Sequence, residues 1–279
     1  MIKNMSIRSK IIISIVTLII NSYCLFIFAN NYHAIYYPVS ARINIASLLN
    51  SNVLQENDYL VLFSQTGLGK QAIDDIREDA DSKKTLLTFQ DSYFRKNRIV
   101  YENLNPFTIQ ETLKVNSINS NITAMAPLKN GDILLTKSTY TLFWRHGHCG
   151  IVIDAAGGTI LESLEPGTVS MTQNISKWQN YSTLKVMRMK DADPHKLNEI
   201  AKYATEKLSG IKYDIFAPKR YDDAIPKSEN CAQIIWQAYH HFGYDIDSNR
   251  GIIVTPSDIA RSKLLEVIQI NGFNPDKPW

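Results

Sequence analysis

The sequence predicts an α+β fold in which an antiparallel sheet packs on helices and is preceded by a mostly helical segment. Three observations support this prediction. An almost unbroken apolar run of 19 residues, Ile11–Ala29, stands apart near the N-terminus. From there to Met125 the pattern is mixed and mostly helical. After Asn130-Gly131 the chain changes to short β-rich runs separated by Gly, Pro and Asn, followed by helices and a closing strand.

The charge of the chain is concentrated at its N-terminus. The net charge is +3, from 30 basic and 27 acidic residues. Residues 1–29 hold three of the bases and no acid, so the remaining 27 bases balance the 27 acids. A folded part without net charge has no electrostatic footprint for nucleic acid. We therefore expect no nucleic-acid partner. The length of the chain allows one large domain, or one domain plus a smaller one.

Residues 1–29 are predicted to be a signal peptide or membrane anchor, outside the fold. Lys3, Arg8 and Lys10 form a basic flank before an apolar run whose length suits a membrane span, which needs roughly 20 residues. Because that flank comes first, an uncleaved segment leaves the remainder outside the cytoplasm. We expect an exported protein of the periplasm or cell envelope, either anchored in the inner membrane through residues 11–29 or secreted after cleavage.

Residues 30–126 are predicted to form a mostly helical N-terminal region without a chemical motif. Ala41–Asn50 is apolar enough for a helix, and Gly69–Asp79 carries charges at helical spacing. Leu86–Leu113 is rich in aromatic residues and is expected to be packed. Thr66–Lys70 is not a phosphate-binding loop, because one residue separates its glycines and no Ser or Thr follows the lysine. The role of this region stays open.

Residues 127–279 are predicted to form the sheet-containing domain. Its predicted strands are Asp132–Thr136, Gly150–Asp154, Thr159–Ser163, Leu184–Met189 and Leu265–Ile270. Gly157-Gly158 predicts a tight hairpin between the second and third of these strands. The predicted helices are Asp193–Leu208, Cys231–Phe242 and a short one capped by Thr255–Asp258.

Cys231 is the candidate nucleophile because it stands in the first turn of a predicted helix. There it meets the positive end of the helix dipole and unsatisfied backbone amides, which both favour a thiolate. The alternative is a buried core cysteine, since Ile234, Ile235 and Ala238 share its helical stripe. Three cysteines are too few for a disulfide scaffold, although Cys149 and Cys231 could pair in an exported protein.

A catalytic thiolate needs a base and a third group that orients that base. His148 opens the second predicted strand, where alternation puts His146 on the same face and Cys149 on the other, pointing away from Cys231. Glu162 follows on the next strand, among apolar neighbours. Burial of a carboxylate there costs free energy unless the carboxylate is paired. Imidazole is the expected partner. The alternative for Glu162 is an exposed carboxylate on an edge strand.

The run GDILLT … HGHCGIVID … ILES … ENCAQIIWQAYHHFG … VTPSDIARS resembles the permuted NlpC-like (papain-like) cysteine hydrolases, especially their YiiX/YebB-like branch. The resemblance covers about residues 127–270 and implies a circularly permuted papain-like (NlpC-type) core with the chain order His, acid, Cys. The family's catalytic positions fall on His148, Glu162 and Cys231. Tyr213, which precedes the cysteine helix, and His146 are expected to line the cleft as substrate-binding residues.

The resemblance implies a cysteine hydrolase of amidase or peptidase type that needs no cofactor or metal. For an exported protein, the expected substrate is an amide bond in cell-wall (peptidoglycan) peptides. A lipid acyl hydrolase or acyltransferase is the alternative, because permuted relatives similar to lecithin:retinol acyltransferase act on lipids. Two further hypotheses stay open: a zinc site that joins His146 and His148 to Glu162 or Cys231, and a non-catalytic binding module on the same fold.

Overall fold

The computed structural model describes residues 6–32, 35–114, 122–141, 144–222 and 224–279, and it confirms a mixed α+β fold. Its α-helices are α1 (Ile7–Tyr32), α2 (Ala46–Leu49), α3 (Glu56–Thr66), α4 (Lys70–Arg77), α5 (Ser82–Phe94), α6 (Pro194–Lys207), α7 (Cys231–His240) and α8 (Pro256–Ala260). Its strands are β1 (Ile99–Asn105), β2 (Thr108–Leu113), β3 (Ile133–Thr136), β4 (Thr139–Thr141), β5 (His148–Asp154), β6 (Thr159–Glu162), β7 (Met171–Asn174), β8 (Leu184–Met189), β9 (Lys212–Tyr213), β10 (Ser228–Glu229) and β11 (Leu265–Asn271). A 3-10 helix spans Ile175–Asn180.

An antiparallel sheet with the strand order β11-β8-β3-β5-β6-β7 forms the centre of the molecule. The end of β3 pairs with the start of β5, at Thr136 and His148. The end of β11 pairs with the start of β8, at Asn271 and Leu184. The end of β3 also pairs with the start of β8, so these two pairs lie at the same end of the sheet. We call this the His148 end of the sheet.

Both faces of this sheet are covered by helices, as the alternation of its strands requires. One face contributes Ile133, Leu135, Cys149, Ile151 and Leu161 to a core shared with α6 and α7. The opposite face contributes Leu134, Val152, Ile160 and Val186 to a core shared with α3, α4 and α5. The helices that precede and follow the strands in sequence therefore enclose the sheet between them.

Side-chain caps fix the starts of the three helices in residues 127–279. Asp193, Asn230 and Thr255 each accept hydrogen bonds from backbone amides in the first turn of α6, α7 and α8. These caps satisfy amides that have no partner within the helix. The three helices confirm the sequence prediction, with ends that differ from it by one or two residues.

The prediction for residues 30–126 is only partly confirmed. Helices α3 to α5 form, but the helix predicted over Ala41–Asn50 is reduced to the four residues of α2. The second half of the predicted packed segment Leu86–Leu113 is a hairpin of β1 and β2, which β4 extends to three strands. The Asn105 side chain accepts from the amides of Phe107 and Thr108 and so closes the hairpin turn.

Helix α1 contains a segment, Ile7–Phe26, that is long and apolar enough to cross a membrane by length and composition, and none of it is buried. This finding is compatible with the predicted signal peptide or anchor. Of the basic flank, Arg8 lies within the helix, whereas Lys3 lies outside the described residues.

Candidate active site

Cys231 is the first residue of α7, and its side chain is buried at the helix N-terminus. The Asn230 side chain caps this helix by accepting from the amides of Ala232 and Gln233, at 2.9 and 2.8 Å. This cap does not use the amide of Cys231. The thiol therefore lies beside an amide that can donate to an anion, at the positive end of the helix dipole.

His148 and Glu162 form a buried pair across the β5–β6 hairpin. The Nε2 atom of His148 lies 3.0 Å from Oε2 of Glu162. Because Nε2 is engaged by the carboxylate, Nδ1 is the ring nitrogen left for Cys231, which is close enough to raise the pKa of His148. The structure thus brings the three predicted catalytic side chains together in the order thiol, imidazole, carboxylate.

Two residues that the sequence did not predict complete the surroundings of Glu162. The Lys177 ammonium donates to Oε1 at 2.8 Å, and the Trp178 indole donates to Oε2 at 3.2 Å. The Trp178 ring also stacks on the His148 imidazole, with 5.4 Å between centroids. Gly150 leaves room for this ring, since a Cβ there would lie 3.2 Å from it. The fully buried carboxylate is therefore paired on both oxygens.

The charges of the site support an imidazolium–thiolate pair. Burial lowers the pKa of His148, but hydrogen bonds with Cys231 and Glu162 outweigh it and raise that pKa to about 9. Burial raises the pKa of Glu162, but His148 and Lys177 outweigh it and hold that pKa below its usual range. A hydrogen bond from Cys149 and the pairing with His148 hold the pKa of Cys231 well below that of an ordinary thiol.

The prediction that Cys149 points away from Cys231 is wrong. Alternation along β5 does place Cys149 opposite His148, as expected. However, α7 packs on the Cys149 face, so the two cysteines share one buried core. His148, the first residue of β5, therefore approaches Cys231 at the end of the strand and not across the sheet face. Both thiols are free.

His146 lines the cavity that contains Cys231, and both of its ring nitrogens are occupied. Nδ1 donates to the Gly147 carbonyl at 2.7 Å, and Nε2 accepts from Thr141 Oγ1 at 3.0 Å. Burial lowers the pKa of His146, which favours this neutral tautomer. No group of three or more His, Cys, Asp or Glu side chains within the described ranges is arranged to hold a metal ion. The zinc hypothesis therefore lacks a donor set there.

A cavity of about 190 Å³ opens onto Cys231. Its lining is formed by Trp144, His146, Tyr213, Ile215, Phe216, Asn230, Cys231, Ile253, Val254, Thr255 and Pro256. Both predicted substrate-binding residues, His146 and Tyr213, are among them. Burial raises the pKa of Tyr213, which keeps its phenol protonated. Of the described residues that line this cavity, none is Asp, Glu, Lys or Arg, so it suits an apolar group more than a charged one.

Comparisons with known proteins find likeness over about half of the chain. No family model matches it. The chain is 28% identical over 140 residues to the uncharacterized protein YycO of Bacillus subtilis (strain 168), and the match covers 50% of this chain and 54% of that protein. The chain thus spans about half the length of this relative. The structure is similar to that of the metalloprotein YiiX from Escherichia coli O157:H7, with 13% identity and a TM-score of 0.41, over 51% of this chain and 97% of the other.

Proposed function

We propose that this chain is an exported cysteine hydrolase built on a circularly permuted papain-like core, with Cys231 as nucleophile, His148 as acid and base, and Glu162 as the residue that orients His148. The observation that supports it most is the 3.0 Å contact between His148 Nε2 and the buried Glu162 carboxylate, because it leaves Nδ1 for the thiol. The apolar helix α1 is compatible with the exported location.

In the proposed reaction, the Cys231 thiolate attacks a carbonyl carbon and forms a carbon–sulfur bond. The oxyanion that develops is stabilised by the amide of Cys231, which the Asn230 cap leaves available. The His148 imidazolium then donates its Nδ1 proton to the departing alcohol or amine, and a thioester on Cys231 remains. Neutral His148 next takes a proton from water, whose oxygen attacks the thioester and releases the acid and the thiolate.

Glu162 and its neighbours supply positioning in this scheme. The carboxylate fixes which ring nitrogen faces the thiol and stabilises the imidazolium by its charge. Lys177 and Trp178 hold the carboxylate from the other side. The hydrogen bond from Cys149 stabilises the thiolate before attack.

The substrate expected from the sequence, a cell-wall peptide, carries charged groups, whereas the cavity is lined mainly by apolar and aromatic side chains. Trp144, Ile215, Phe216 and Val254 would surround an acyl chain next to Cys231. This observation favours the alternative substrate, a lipid acyl ester or amide. Hydrolysis of cell-wall amides stays the second candidate on the same three residues.

The purified full chain in detergent, incubated with p-nitrophenyl esters of increasing acyl length and with cell-wall muropeptides, tests both candidates. We expect turnover that Cys231→Ala abolishes and that His148→Ala lowers by about 10²- to 10⁴-fold in kcat/KM, the usual contribution of a proton-transfer group. Cys24→Ser is the matched control, because this exposed cysteine lies in α1 and should not affect turnover.

Rates that rise with acyl length would support the lipid substrate, and peptide products without ester turnover would support the cell-wall substrate. Equal turnover by wild type and Cys231→Ala would contradict the proposed chemistry. Absence of turnover on every substrate in both sets would favour the non-catalytic hypothesis.

A further inference from the structure

Three exposed apolar side chains lie at the cavity or directly next to a residue that lines it. Trp144 and Phe216 line it and are 51% and 70% exposed. Ile252, which is 78% exposed, precedes the lining residue Ile253. The Ile252 carbonyl accepts from the Lys219 amide at 2.8 Å, which ties its loop to the one that carries Phe216. We call these three residues, which come from three separate segments, the apolar rim.

This clustering differs from the ordinary scatter of apolar residues on a protein surface. Single exposed hydrophobic residues are common, but a contiguous apolar rim around a cavity marks an interaction site. Of the four tryptophans of the chain, Trp178, Trp236 and Trp279 are buried, and Trp144 alone is exposed. An exposed indole beside aliphatic and aromatic side chains is the composition expected where a protein meets the interface of a bilayer.

Helix α1, which serves as the membrane tether in this proposal, joins the body at the His148 end of the sheet. Helix α1 ends at Tyr32, and four residues later the Tyr36 amide donates to the Gly272 carbonyl at 2.9 Å. Gly272 directly follows β11 at the level of the β8 start, the end of the sheet at which β5 begins with His148. Four extended residues reach only about 14 Å, and the helical residues from Phe26 to Tyr32 add about 9 Å. A membrane that holds α1 is therefore close to the end of the body that contains the cavity mouth.

We infer that the rim of Trp144, Phe216 and Ile252 docks on the surface of a lipid bilayer, so that the cavity leading to Cys231 opens toward the membrane. Insertion of these side chains removes apolar surface from water, and the short tether keeps the rim near the bilayer at high effective concentration. The inference deepens the proposed function, because it names a membrane lipid as the source of the acyl group. Docking itself does not require the thiol chemistry.

Tryptophan fluorescence of the full chain reconstituted in phosphatidylcholine vesicles tests this inference, with vesicles of acyl-chain-brominated phosphatidylcholine as the quencher. Helix α1 has no tryptophan, so the transmembrane segment adds no signal. We expect brominated lipid to quench the emission of wild type, and we expect the quenched part to disappear in Trp144→Phe. Phe216→Ser with Ile252→Ser should reduce the quenching of Trp144.

A matched control moves the indole to the other end of the sheet. Leu264 is 41% exposed and immediately precedes β11, whose start pairs with the end of β8. The double variant Trp144→Phe with Leu264→Trp should therefore show no quenching. Equal emission of wild type in both kinds of vesicle, or equal quenching of wild type and Trp144→Phe, would overturn the inference.

The same samples separate this inference from the proposed function. Cys231→Ala should be quenched as strongly as wild type, since docking does not use the thiol. Quenching of Trp144 without any hydrolysis would support docking and remove the proposed function. Hydrolysis of a short soluble ester without quenching of Trp144 would remove docking and keep the chemistry.

Discussion

Cys149 is buried on the face of β5 that α7 covers, in the same core as Cys231. Alternation along a strand gives the relative direction of neighbouring side chains, and it correctly separates Cys149 from His148. It does not say which helix covers which face. Because α7 covers the Cys149 face, the thiol that was expected to point away is the partner of the nucleophile.

Substitution of Cys149 should therefore change the acidity of Cys231. A hydrogen bond to a charged group is worth about 1.5–3 kcal/mol. We expect Cys149→Ala to raise the pH at which Cys231 alkylation is half-maximal by about one to two units, because one unit corresponds to 1.36 kcal/mol. Cys149→Ser keeps a donor and should stay nearer to wild type. Circular dichroism checks that the Cys149→Ala variant is folded. If the half-maximal pH of its alkylation is unchanged, a role for this hydrogen bond is contradicted.

The charge of His148 should separate two pH profiles. Its pKa is raised from 6.5 to about 9, so the imidazolium is complete below about 6.5 and is lost as the pH rises through about 9. Hydrolysis needs this proton for the leaving group and should fall above about pH 9. Alkylation needs only the Cys231 thiolate, whose pKa is lowered, so its rate should not fall there.

Parallel measurement of the two rates between pH 4 and 10 checks this prediction. The Glu162 pKa lies below its usual range, so the carboxylate should stay ionised through most of this interval. Alkylation that rises with a midpoint near 8.5, the value of an unperturbed cysteine, would show that Cys231 is an ordinary thiol.

Some residues of the site had no detectable signal in the sequence. Cys231, His148 and Glu162 could be chosen as candidates because each stands at a helix start or on a strand with a recognisable pattern, and their catalytic roles stay predictions. Lys177 and Trp178 lie in a 3-10 helix after the edge strand β7, and a single Lys-Trp pair in a polar stretch has many alternative explanations. Lys177 and Trp178 reach Glu162 only because the chain turns back after β7. Local sequence patterns do not reveal such a tertiary contact.

At the scale of elements, strands were predicted best where turns bounded them. The Gly157-Gly158 turn fixed the hairpin of β5 and β6, and β8 has the predicted bounds. The β1–β2 hairpin was missed although Asn105-Pro106 marks its turn, because its exposed first strand lacks an apolar face. Strand β1 is mostly exposed, whereas β2 is mostly buried.

Arg188 on β8 links the sheet to the helices that precede it. Its guanidinium donates to both carboxylate oxygens of the fully buried Asp132, at 2.7 and 2.8 Å. The same group reaches Asp75 on α4 at 3.3 Å and the Pro127 carbonyl at 3.2 Å. One side chain thereby connects α4, the segment before β3 and the sheet.

Arg188→Met should lower the free energy of unfolding by about 3–5 kcal/mol, because it leaves the Asp132 carboxylate buried without its partner. Urea denaturation followed by circular dichroism measures the loss. The double variant Arg188→Met with Asp132→Asn removes the unpaired charge and should recover part of it. A loss below 1 kcal/mol in the single variant would mean that Asp132 finds water or another donor.

At the scale of the whole molecule, the α+β class and the order of elements followed from the sequence, but the enclosure of the sheet did not. The contacts that cover its second face join residues such as Leu62 and Phe89 to Leu134 and Val186, which are far apart in the chain. Periodicity indicates which side of a helix is apolar but does not identify its partner. The division of the chain between residues 126 and 127 stays a prediction.

The layered arrangement places the site at one end of the sheet, where α7, β5 and β6 meet. The proposed nucleophile, Cys231, comes from the helix layer, and the imidazole and carboxylate come from the sheet. Because the proposed base lies at a strand end, substrate can approach the thiol without opening the core. The proposed membrane anchor α1 and the apolar rim lie toward the same end of the sheet.

The central claim is that Cys231 forms a covalent thioester during turnover. Acid quenching of the full chain with a long-chain p-nitrophenyl ester, followed by mass spectrometry of the peptides, tests it most directly. We expect the peptide that contains Cys231 to gain the mass of one acyl group, and we expect this gain to be absent in Cys231→Ala. Turnover without acylation of that peptide, or acylation that settles on Cys149 or Cys24, would contradict the claim.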